Sequence, residues 1–247
     1  HSLVVTEKRR LFNSMSILLA IISFSLSLLG TFLVRSGILI SVHSFASDPT
    51  RGMFILMLLG FFTGGALILY SLKLKKDRRL RLKIFSRESL LLLNNVFLCT
   101  AAGLILIGTL YPMLVELFDA GKLSVGPPYF NFVFLIPFLP MLFFMGWGVF
   151  STWKNSELKD LISRTKWIFI ISILLSIIVT FAVYNYSGLL TFVGITLAGW
   201  TILTGSIPFI KNLKLDRQNA LKLLPMSLAH VGLGLTVLGI TVTSTYG

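Results

Sequence analysis

Seven long apolar runs, separated by short polar turns, make up most of this chain of 247 residues. A helix needs roughly 20 residues to cross a hydrocarbon core of about 30 Å, and each run is close to that length. A soluble domain could not bury so much apolar surface, since 55% of the residues are hydrophobic and 13% are charged. The sequence therefore predicts an all-α bundle of about seven transmembrane helices near residues 11–33, 52–72, 89–113, 129–150, 167–187, 188–208 and 223–243.

The distribution of Lys and Arg predicts the orientation of this bundle. When the turns are assigned alternately to two sides, 19 of the 22 cations fall on one side. Cytoplasmic loops of membrane proteins carry such an excess of Lys and Arg. We therefore expect residues 1–10 to begin in the cytoplasm, residues 73–87 to form a basic cytoplasmic loop, and residues 34–51 to face outward. The net charge of +13 is explained by this topology, so membrane lipid and not nucleic acid is the predicted contact.

Two stretches contain signals for helix ends. The run 167–208 has no charge, and one helix of that length would overshoot the bilayer. We expect a break at residues 184–188, Tyr-Asn-Tyr-Ser-Gly, where interfacial aromatic residues and glycine occur together. The second span should start with Ser47 or Asp48 as N-cap and Pro49 in the first turn.

The third span contains several polar side chains. Ser86 is a plausible N-cap, and Glu88 is placed favourably for the helix dipole. Asn94 and Asn95 are expected to form hydrogen bonds between helices. Cys99 is expected to be a small core residue. Because it is the single cysteine, the chain cannot form a disulfide framework, a thiolate metal site or a C-x-x-C-H haem motif.

The chain has three histidines, and two of them are predicted to lie inside the membrane. His1 precedes the basic cluster at Lys8 by seven residues, and His230 follows Lys222 by eight. These spacings are about 10 Å and 12 Å of helix, so the two imidazoles should lie at nearly the same depth. Intramembrane histidine is rare and usually serves as a ligand, as part of a proton relay or as a polar partner of another residue. Two at matched depth suggest the axial ligands of one haem, and hydrogen bonds to neighbouring helices remain the alternative.

Other features of the sequence bear on the haem hypothesis. Ala229, Gly232 and Gly234 supply the small side chains that a flat macrocycle needs beside its ligand. A zinc site is less suitable, because it normally needs three or four protein ligands and no carboxylate or thiol is near. A proton relay would usually use intramembrane Asp or Glu, and the spans have almost none.

The third histidine, His43, lies on the outward side between Arg35 and Arg51. Outward arginines oppose the topological bias, which suggests that they serve an anionic partner. A haem offers an iron for the imidazole and two propionates for arginines, which bind carboxylates in bidentate geometry. The alternative is that Arg51 pairs with Asp48 and that Arg35 binds a lipid phosphate.

Five segments carry motifs of one known family: LGTFLVRSGILISVHSFASDPTRGMFIL, FSRESLLLLNN, GTLYP, VGPPYFN and MSLAHVGLG. They resemble the CcmF family of cytochrome c-type biogenesis proteins, the haem lyase component of the bacterial and mitochondrial maturation system. The resemblance runs from His1 to about Gly239 and is most specific in the first 55 residues.

The resemblance implies a role for each histidine. His1 and His230 match the two transmembrane histidines that ligate a structural b-type haem, and His43 matches the second of two periplasmic histidines that hold the delivered haem. The b-haem would pass electrons that keep the delivered iron ferrous, with quinol as donor. The implied partners are a haem chaperone, apocytochrome c and other maturation proteins, and the implied location is the bacterial or mitochondrial inner membrane.

The family also has a tryptophan-rich haem-handling segment and another periplasmic histidine upstream of the first transmembrane histidine, and a periplasmic domain after the second. None of these is in residues 1–247, so we expect this stretch to be a haem-lyase core cut at both ends and inactive alone. No catalytic nucleophile is evident, since the attacking thiols would come from the apocytochrome and the macrocycle carries the redox chemistry.

Two rival functions remain open from the sequence. A transporter of haem or another small solute would have helices broken at the midplane or repeat symmetry. A bis-histidine electron-transfer anchor without a lyase role would use His1 and His230 but leave His43, Arg35 and Arg51 unexplained.

Overall fold

The computed structural model describes residues 1–36, 48–73, 82–119, 121, 123–182 and 188–246. This part of the chain is helical and contains no strand. Seven of its helices, α2 to α8, are long and apolar enough to cross a membrane, which confirms the predicted fold class. The helices are α1 (Ser2–Arg9), α2 (Asn13–Ser36), α3 (Pro49–Lys73), α4 (Arg87–Leu117), α5 (Pro127–Phe150), α6 (Leu158–Ala182), α7 (Leu189–Leu215) and α8 (Arg217–Tyr246).

The predicted break in the charge-free run is confirmed at Gly188, whereas residues 184–187 lie outside the described residues. Helix α6 ends at Ala182, and α7 begins at Leu189 after the N-cap Gly188. Gly188 has a φ of 93°, a backbone conformation that favours glycine because it has no Cβ. A glycine at the start of α7 therefore separates two spans that composition alone would merge.

At the other ends of the spans, helix continues into the basic turns. Helix α6 begins nine residues before the predicted apolar run, and α7 and α8 are separated by Asp216 alone. The Asp216 carboxylate accepts hydrogen bonds from the backbone N–H groups of Gln218 at 3.0 Å and Asn219 at 3.3 Å. It therefore caps α8 as soon as α7 ends. Backbone hydrogen bonding does not stop at the membrane surface, so the apolar runs underestimate the helix lengths.

The chain divides into two compact units. The first contains residues 1–81 and 106–129, and the second contains residues 82–105 and 130–247. Helix α4 contributes to both.

In the first unit, α1 folds back along α2. Arg10 and Phe12, between the two helices, have φ angles of 53° and 62° and reverse the chain. The Ser2 hydroxyl then lies 2.8 Å from the hydroxyl of Ser16. The first residue of α1 therefore lies beside the first turn of α2, roughly 5 Å along the α2 axis from its first residue.

Helices α2 and α3 form an antiparallel pair in the same unit. The hydroxyls of Ser25 and Thr63 are 2.7 Å apart, and a Cβ added to Gly52 would lie 3.0 Å from the Cα of Ser36. Where α2 ends and α3 begins, the Asp48 N–H donates to the Arg35 carbonyl at 2.8 Å. These contacts bring together the residues that flank segment 37–47.

The second helix start was also predicted from the sequence. The Asp48 carboxylate accepts a hydrogen bond from the Arg51 N–H at 3.1 Å, and Pro49 is the first residue of α3. Asp48 is thus the N-cap, in agreement with one of the two predicted candidates.

The second unit has the main hydrophobic core, centred on Trp200, which is 1% exposed. The Trp200 Nε1–H donates to the Phe143 carbonyl at 3.0 Å, and the two rings stack with centroids 5.9 Å apart. A Cβ on Gly146 would collide with the indole, so only glycine allows this contact. The buried residues of this core come from α5 to α8: Met141, Leu142, Met145, Ile168, Leu197, Ala198, Trp200 and Val237.

The start of α4 is fixed to the loop after α5. Ser86 caps the helix by accepting the Ser89 N–H at 3.3 Å, as predicted. Glu88 is 1% exposed, and its two carboxylate oxygens lie 3.1 and 3.0 Å from the backbone N–H of Lys154. The Arg87 side chain donates to the Val149 carbonyl at 3.0 Å, near the end of α5. These contacts give Glu88 a structural role beyond the predicted interaction with the helix dipole.

Two predictions about α4 were wrong in detail. Cys99 is exposed and not a core residue. Asn94 and Asn95 are buried, but the Asn94 Oδ1 and the Asn95 Nδ2 have no hydrogen-bond partner among the described residues. The expected hydrogen bonds between helices are therefore not formed by these two atoms within the described part of the chain.

Glu88→Ala should destabilise the second unit, because it leaves the Lys154 N–H without its charged acceptor. A buried hydrogen bond to a charged group contributes about 1.5–3 kcal/mol, so the loss should appear clearly in thermal unfolding of the detergent-solubilised protein. Glu157→Ala, which removes an exposed carboxylate near the same loop, is the matched control. Equal unfolding temperatures for the two variants would contradict the structural role of Glu88.

Candidate functional site

His230 lies within α8, on a continuous helix that includes Lys222. The eight residues between them correspond to about 12 Å, as the sequence predicted. The imidazole is half-buried, and its side chain faces α7. The surroundings of His230 are therefore set by the packing of these two helices.

Helices α7 and α8 pack closely through glycines. At three levels along this antiparallel pair, a glycine on one helix faces a side chain or carbonyl on the other, and an added Cβ would collide with it or press closely against it. Small residues allow two backbones to approach in this way inside a membrane. The contacts pair Gly194 with Thr241, Ala198 and Ile202 with Gly234, and Gly205 with His230.

The contact at His230 is reinforced by a hydrogen bond. The buried Ser227 hydroxyl donates to the Gly205 carbonyl at 2.8 Å, and Ser227 lies one turn before His230 on the same helix. A Cβ on Gly205 would lie 2.5 Å from the His230 Cβ. Gly205 and Ser227 therefore fix where the imidazole leaves α8.

The imidazole itself has no hydrogen-bond partner among the described residues. The ring atoms nearest to the position of a Gly205 Cβ are Cγ at 3.5 Å and Nδ1 at 3.6 Å, so Nε2 is the nitrogen farther from Gly205. A polar group in an apolar environment is costly unless it is paired. A neutral imidazole nitrogen is a strong ligand for haem iron, so His230 fits an axial ligand.

His1 occupies the N-cap position of α1 in the first unit, where it is exposed and makes no side-chain capping hydrogen bond. Its neighbour Ser2 contacts Ser16, so His1 lies near the beginning of α2. The helical spacing between His1 and Lys8 is confirmed, because α1 runs from Ser2 to Arg9. His1 and His230 belong to different units, so a shared iron remains a prediction.

The sequence predicts an outward group of His43, Arg35 and Arg51, of which the structure describes only the two arginines. His43 lies outside the described residues. Arg35 and Arg51 lie at the facing ends of α2 and α3, next to the hydrogen bond between Arg35 and Asp48. Both arginines therefore lie at the same end of the α2–α3 pair.

Arg51 forms the ion pair that the sequence offered as an alternative. Its Nε lies 3.2 Å from the Asp48 Oδ2, with side chains 71% and 36% exposed. An exposed pair of this kind contributes about 0–1 kcal/mol, so a stronger anion can replace the Asp48 carboxylate. The pair therefore does not exclude a role for Arg51 in binding a ligand.

The sequence identified the histidines but missed the residues that position one of them. Gly205 and Ser227 are ordinary residues for a transmembrane helix, and the available signal was the three-residue spacing of Ser227 from His230. Within the described ranges, no group of three His, Cys, Asp or Glu side chains comes together as metal ligands.

The whole chain is similar to several curated proteins. It is 42% identical over 255 residues to the cytochrome c-type biogenesis protein CcmF of Pseudomonas fluorescens, with 99% of this chain and 38% of that protein covered. The corresponding protein of Escherichia coli strain K12 is 37% identical over 247 residues, with 100% and 38% covered. The cytochrome c-type biogenesis protein CycK of Rhizobium meliloti is 40% identical over 263 residues, with the same shares covered. The chain thus spans about 38% of the length of these relatives.

A solved structure of the cytochrome c haem lyase CcmF has the same fold. It matches with a TM-score of 0.70 and 21% sequence identity, over 98% of this chain and 36% of that chain. No family model matches the sequence.

Gly205→Ala should destabilise the α7–α8 pair, because the new methyl group would overlap the His230 Cβ. Overpacking of this kind costs about 1–3 kcal/mol, measurable as a lower unfolding temperature in detergent. Gly199→Ala on the same helix is the control, since its Cβ would make an ordinary contact of 3.7 Å with Ser172. If Gly205→Ala is as stable as Gly199→Ala, the close approach at His230 is not structurally required.

Proposed function

The chain belongs to the CcmF family of cytochrome c-type biogenesis proteins, and on this basis we propose that it forms the membrane core of a cytochrome c haem lyase. The observation that carries this proposal is the half-buried His230 imidazole, which has no hydrogen-bond partner among the described residues. The curated relatives are named cytochrome c-type biogenesis proteins and the matching solved structure is named a haem lyase, which supports a lyase function for a site whose chemistry suits iron. The multi-pass helical fold supports a position for such a site inside a membrane.

In this proposal, His1 and His230 would hold a structural b-type haem by binding its iron. The Nε2 of His230 faces away from Gly205, and Ala229 and Gly232 on the same helix leave room for a flat macrocycle. The hydrogen bond from Ser227 to Gly205 holds the backbone near the ligand, which reduces its freedom to move when iron binds. When bound, the haem would supply one-electron chemistry that keeps the delivered haem ferrous.

The delivered haem is the substrate, and the outward residues would bind it. His43 would contact its iron, while Arg35 and Arg51 would bind its propionates in bidentate geometry. The positions of Arg35 and Arg51 at the same end of α2 and α3 support this role. Arg51 would exchange its exposed contact with Asp48 for a propionate oxygen.

Covalent attachment needs further components. The thiols that form the thioether bonds would come from apocytochrome c, and this chain would orient the haem toward them. A haem chaperone would deliver the substrate, quinol would donate electrons, and other maturation proteins would join the assembly. We place the complex in the inner membrane of a bacterium or a mitochondrion.

The two rival functions have less support. A transporter with helices broken at the midplane receives none from the described spans, which are continuous helices. An electron-transfer anchor without lyase activity would use His230 equally well, but it would give Arg35 and Arg51 no substrate to bind.

We predict that His230→Ala, or His1→Ala, in the full-length protein removes most of the bound b-type haem. Each change deletes one axial ligand and leaves the helices in place. The haem-to-protein ratio and the reduced-minus-oxidised spectrum of the purified protein measure the effect, and membrane fractionation checks insertion. Added imidazole should partly restore the spectrum of His230→Ala. An unchanged spectrum in either variant would show that the residue is not a ligand.

We predict the opposite pattern for His43→Ala and for the double variant Arg35→Ala and Arg51→Ala. Both should keep the buried b-haem but lose trapping of the delivered haem, because they alter the outward substrate site only. Haem spectra and covalent haem on an apocytochrome c measure the two functions separately. Lys122→Ala, which removes the third outward cation, is the matched control. Normal cytochrome c maturation in the His43 and arginine variants would contradict the outward site.

A further inference from the structure

A second ligand site is suggested by a cavity of about 900 Å³ in the second unit. It lies among α5, α7 and α8, with one wall residue, Ile105, from α4. Its rim residues Phe130, Leu190 and Thr245 are close to where α5 and α7 begin and where α8 ends. The distribution of cations assigns this end to the outside. A volume near 900 Å³ is within the range of small-molecule sites.

The polar groups of this cavity are uncharged. They come from α5, α7 and α8, and among the described residues no Asp, Glu, Lys, Arg or His lines the cavity. A charged head group buried there would have no counter-charge, which is strongly unfavourable. The cavity therefore selects an uncharged ligand. The polar lining residues are Asn131, Thr191, Thr241, Ser244 and Thr245.

The hydroxyl hydrogens of the threonines are already used within the protein. Thr245 donates to the Thr241 carbonyl at 2.7 Å, and Thr241 donates to the Val237 carbonyl at 2.8 Å. The Thr191 hydroxyl lies 2.9 Å from the Thr245 oxygen. Since each hydroxyl has one hydrogen, the oxygens of Thr241 and Thr245 offer the cavity acceptor lone pairs. A ligand that donates an O–H group fits this arrangement.

The remaining walls are apolar and extended. Phe130, Phe134 and Phe138 recur every four residues on one face of α5, and the last two stack with centroids 4.4 Å apart. Lining residues continue along α5 to Leu142, about 18 Å of helix from Phe130. This length and lining suit a hydrocarbon tail that begins at the hydroxyl cluster and extends toward the middle of the membrane.

We propose that this cavity binds an uncharged membrane lipid that has a hydroxyl head group and a hydrocarbon tail. The head group donates to the oxygens of Thr241 and Thr245, and the tail lies against the phenylalanines of α5. The proposal does not depend on the haem sites, because none of the cavity residues is assigned to them. Lipids with an alcohol or a hydroquinone head group share the required chemistry.

The test uses a photoreactive probe on the full-length protein in phosphatidylcholine nanodiscs. A long-chain alcohol that carries a diazirine in its tail is compared with the carboxylic acid of the same chain length. Mass spectrometry should find the alcohol on peptides that contain Phe130–Leu142 or Leu235–Thr245. The carboxylate should label these peptides several-fold less, because it would bury a charge. Equal labelling by the two probes would overturn the selection for an uncharged head group.

Two pairs of variants test the position of the ligand. Thr245→Val removes an acceptor and should lower labelling by about three- to tenfold, the range for one neutral hydrogen bond. Thr243→Val is its control, because that exposed hydroxyl donates to the Gly239 carbonyl of its own helix. Ile240→Trp should block the cavity, whereas Leu235→Trp, also exposed on α8, should not. If each variant labels as its control does, the cavity is not the site.

Competition identifies the source of the ligand. An isoprenoid hydroquinone and a diacylglycerol both have an uncharged hydroxyl head group, and each is added to the alcohol probe. Displacement by either compound supports the site and names the class of lipid. If neither displaces the probe from the α5 and α8 peptides, the labelling reflects the surrounding bilayer only and the proposal fails.

Discussion

The close approach of α7 and α8 is the contact on which both proposed sites of the second unit depend. Lipid tails are as apolar as the helices, so the hydrophobic effect cannot drive these two spans together. Gly194, Gly205 and Gly234 instead allow contacts that side chains would prevent. The same antiparallel register places Thr241 beside Gly194 and His230 beside Gly205. One packing interaction therefore shapes the cavity near one membrane surface and the histidine site near the other.

The sequence predicted the number of spans and some of the helix ends, because these depend on local properties. A run of apolar residues, the glycine at Gly188 and the carboxylate of Asp48 each act within a few residues of the feature that they determine. The faces of the helices were less predictable. In a soluble helix polarity marks the buried face, but α5 is apolar on every side apart from Tyr129 and Asn131. The exposure of Cys99 and the contact between Gly146 and Trp200 could not be inferred from such a pattern.

The candidate site shows the same limit. His230 was identified because an imidazole is costly in hydrocarbon and is therefore rarely present without a function. Gly205 carries no comparable signal, since glycine is common in transmembrane helices. Its importance follows only from the register of α7 against α8, which brings a residue 25 positions away in the sequence against the histidine. Residues that bind a ligand can be recognised by their chemistry, whereas residues that position them need the tertiary contact.

The two proposed ligand sites, the arginine site of the first unit and the cavity of the second, differ in charge and would therefore accept different ligands. A haem carries two propionates and needs cations, which the first unit offers at Arg35 and Arg51. Among the described residues, the cavity of the second unit has hydroxyl and amide groups but no charged side chain, so burying a propionate there would cost far more than it returns. An uncharged lipid has the opposite preference, because it would gain little from these two arginines and much from the phenylalanine wall of α5. Each ligand is thus excluded from the other site by desolvation, without any need for a difference in shape.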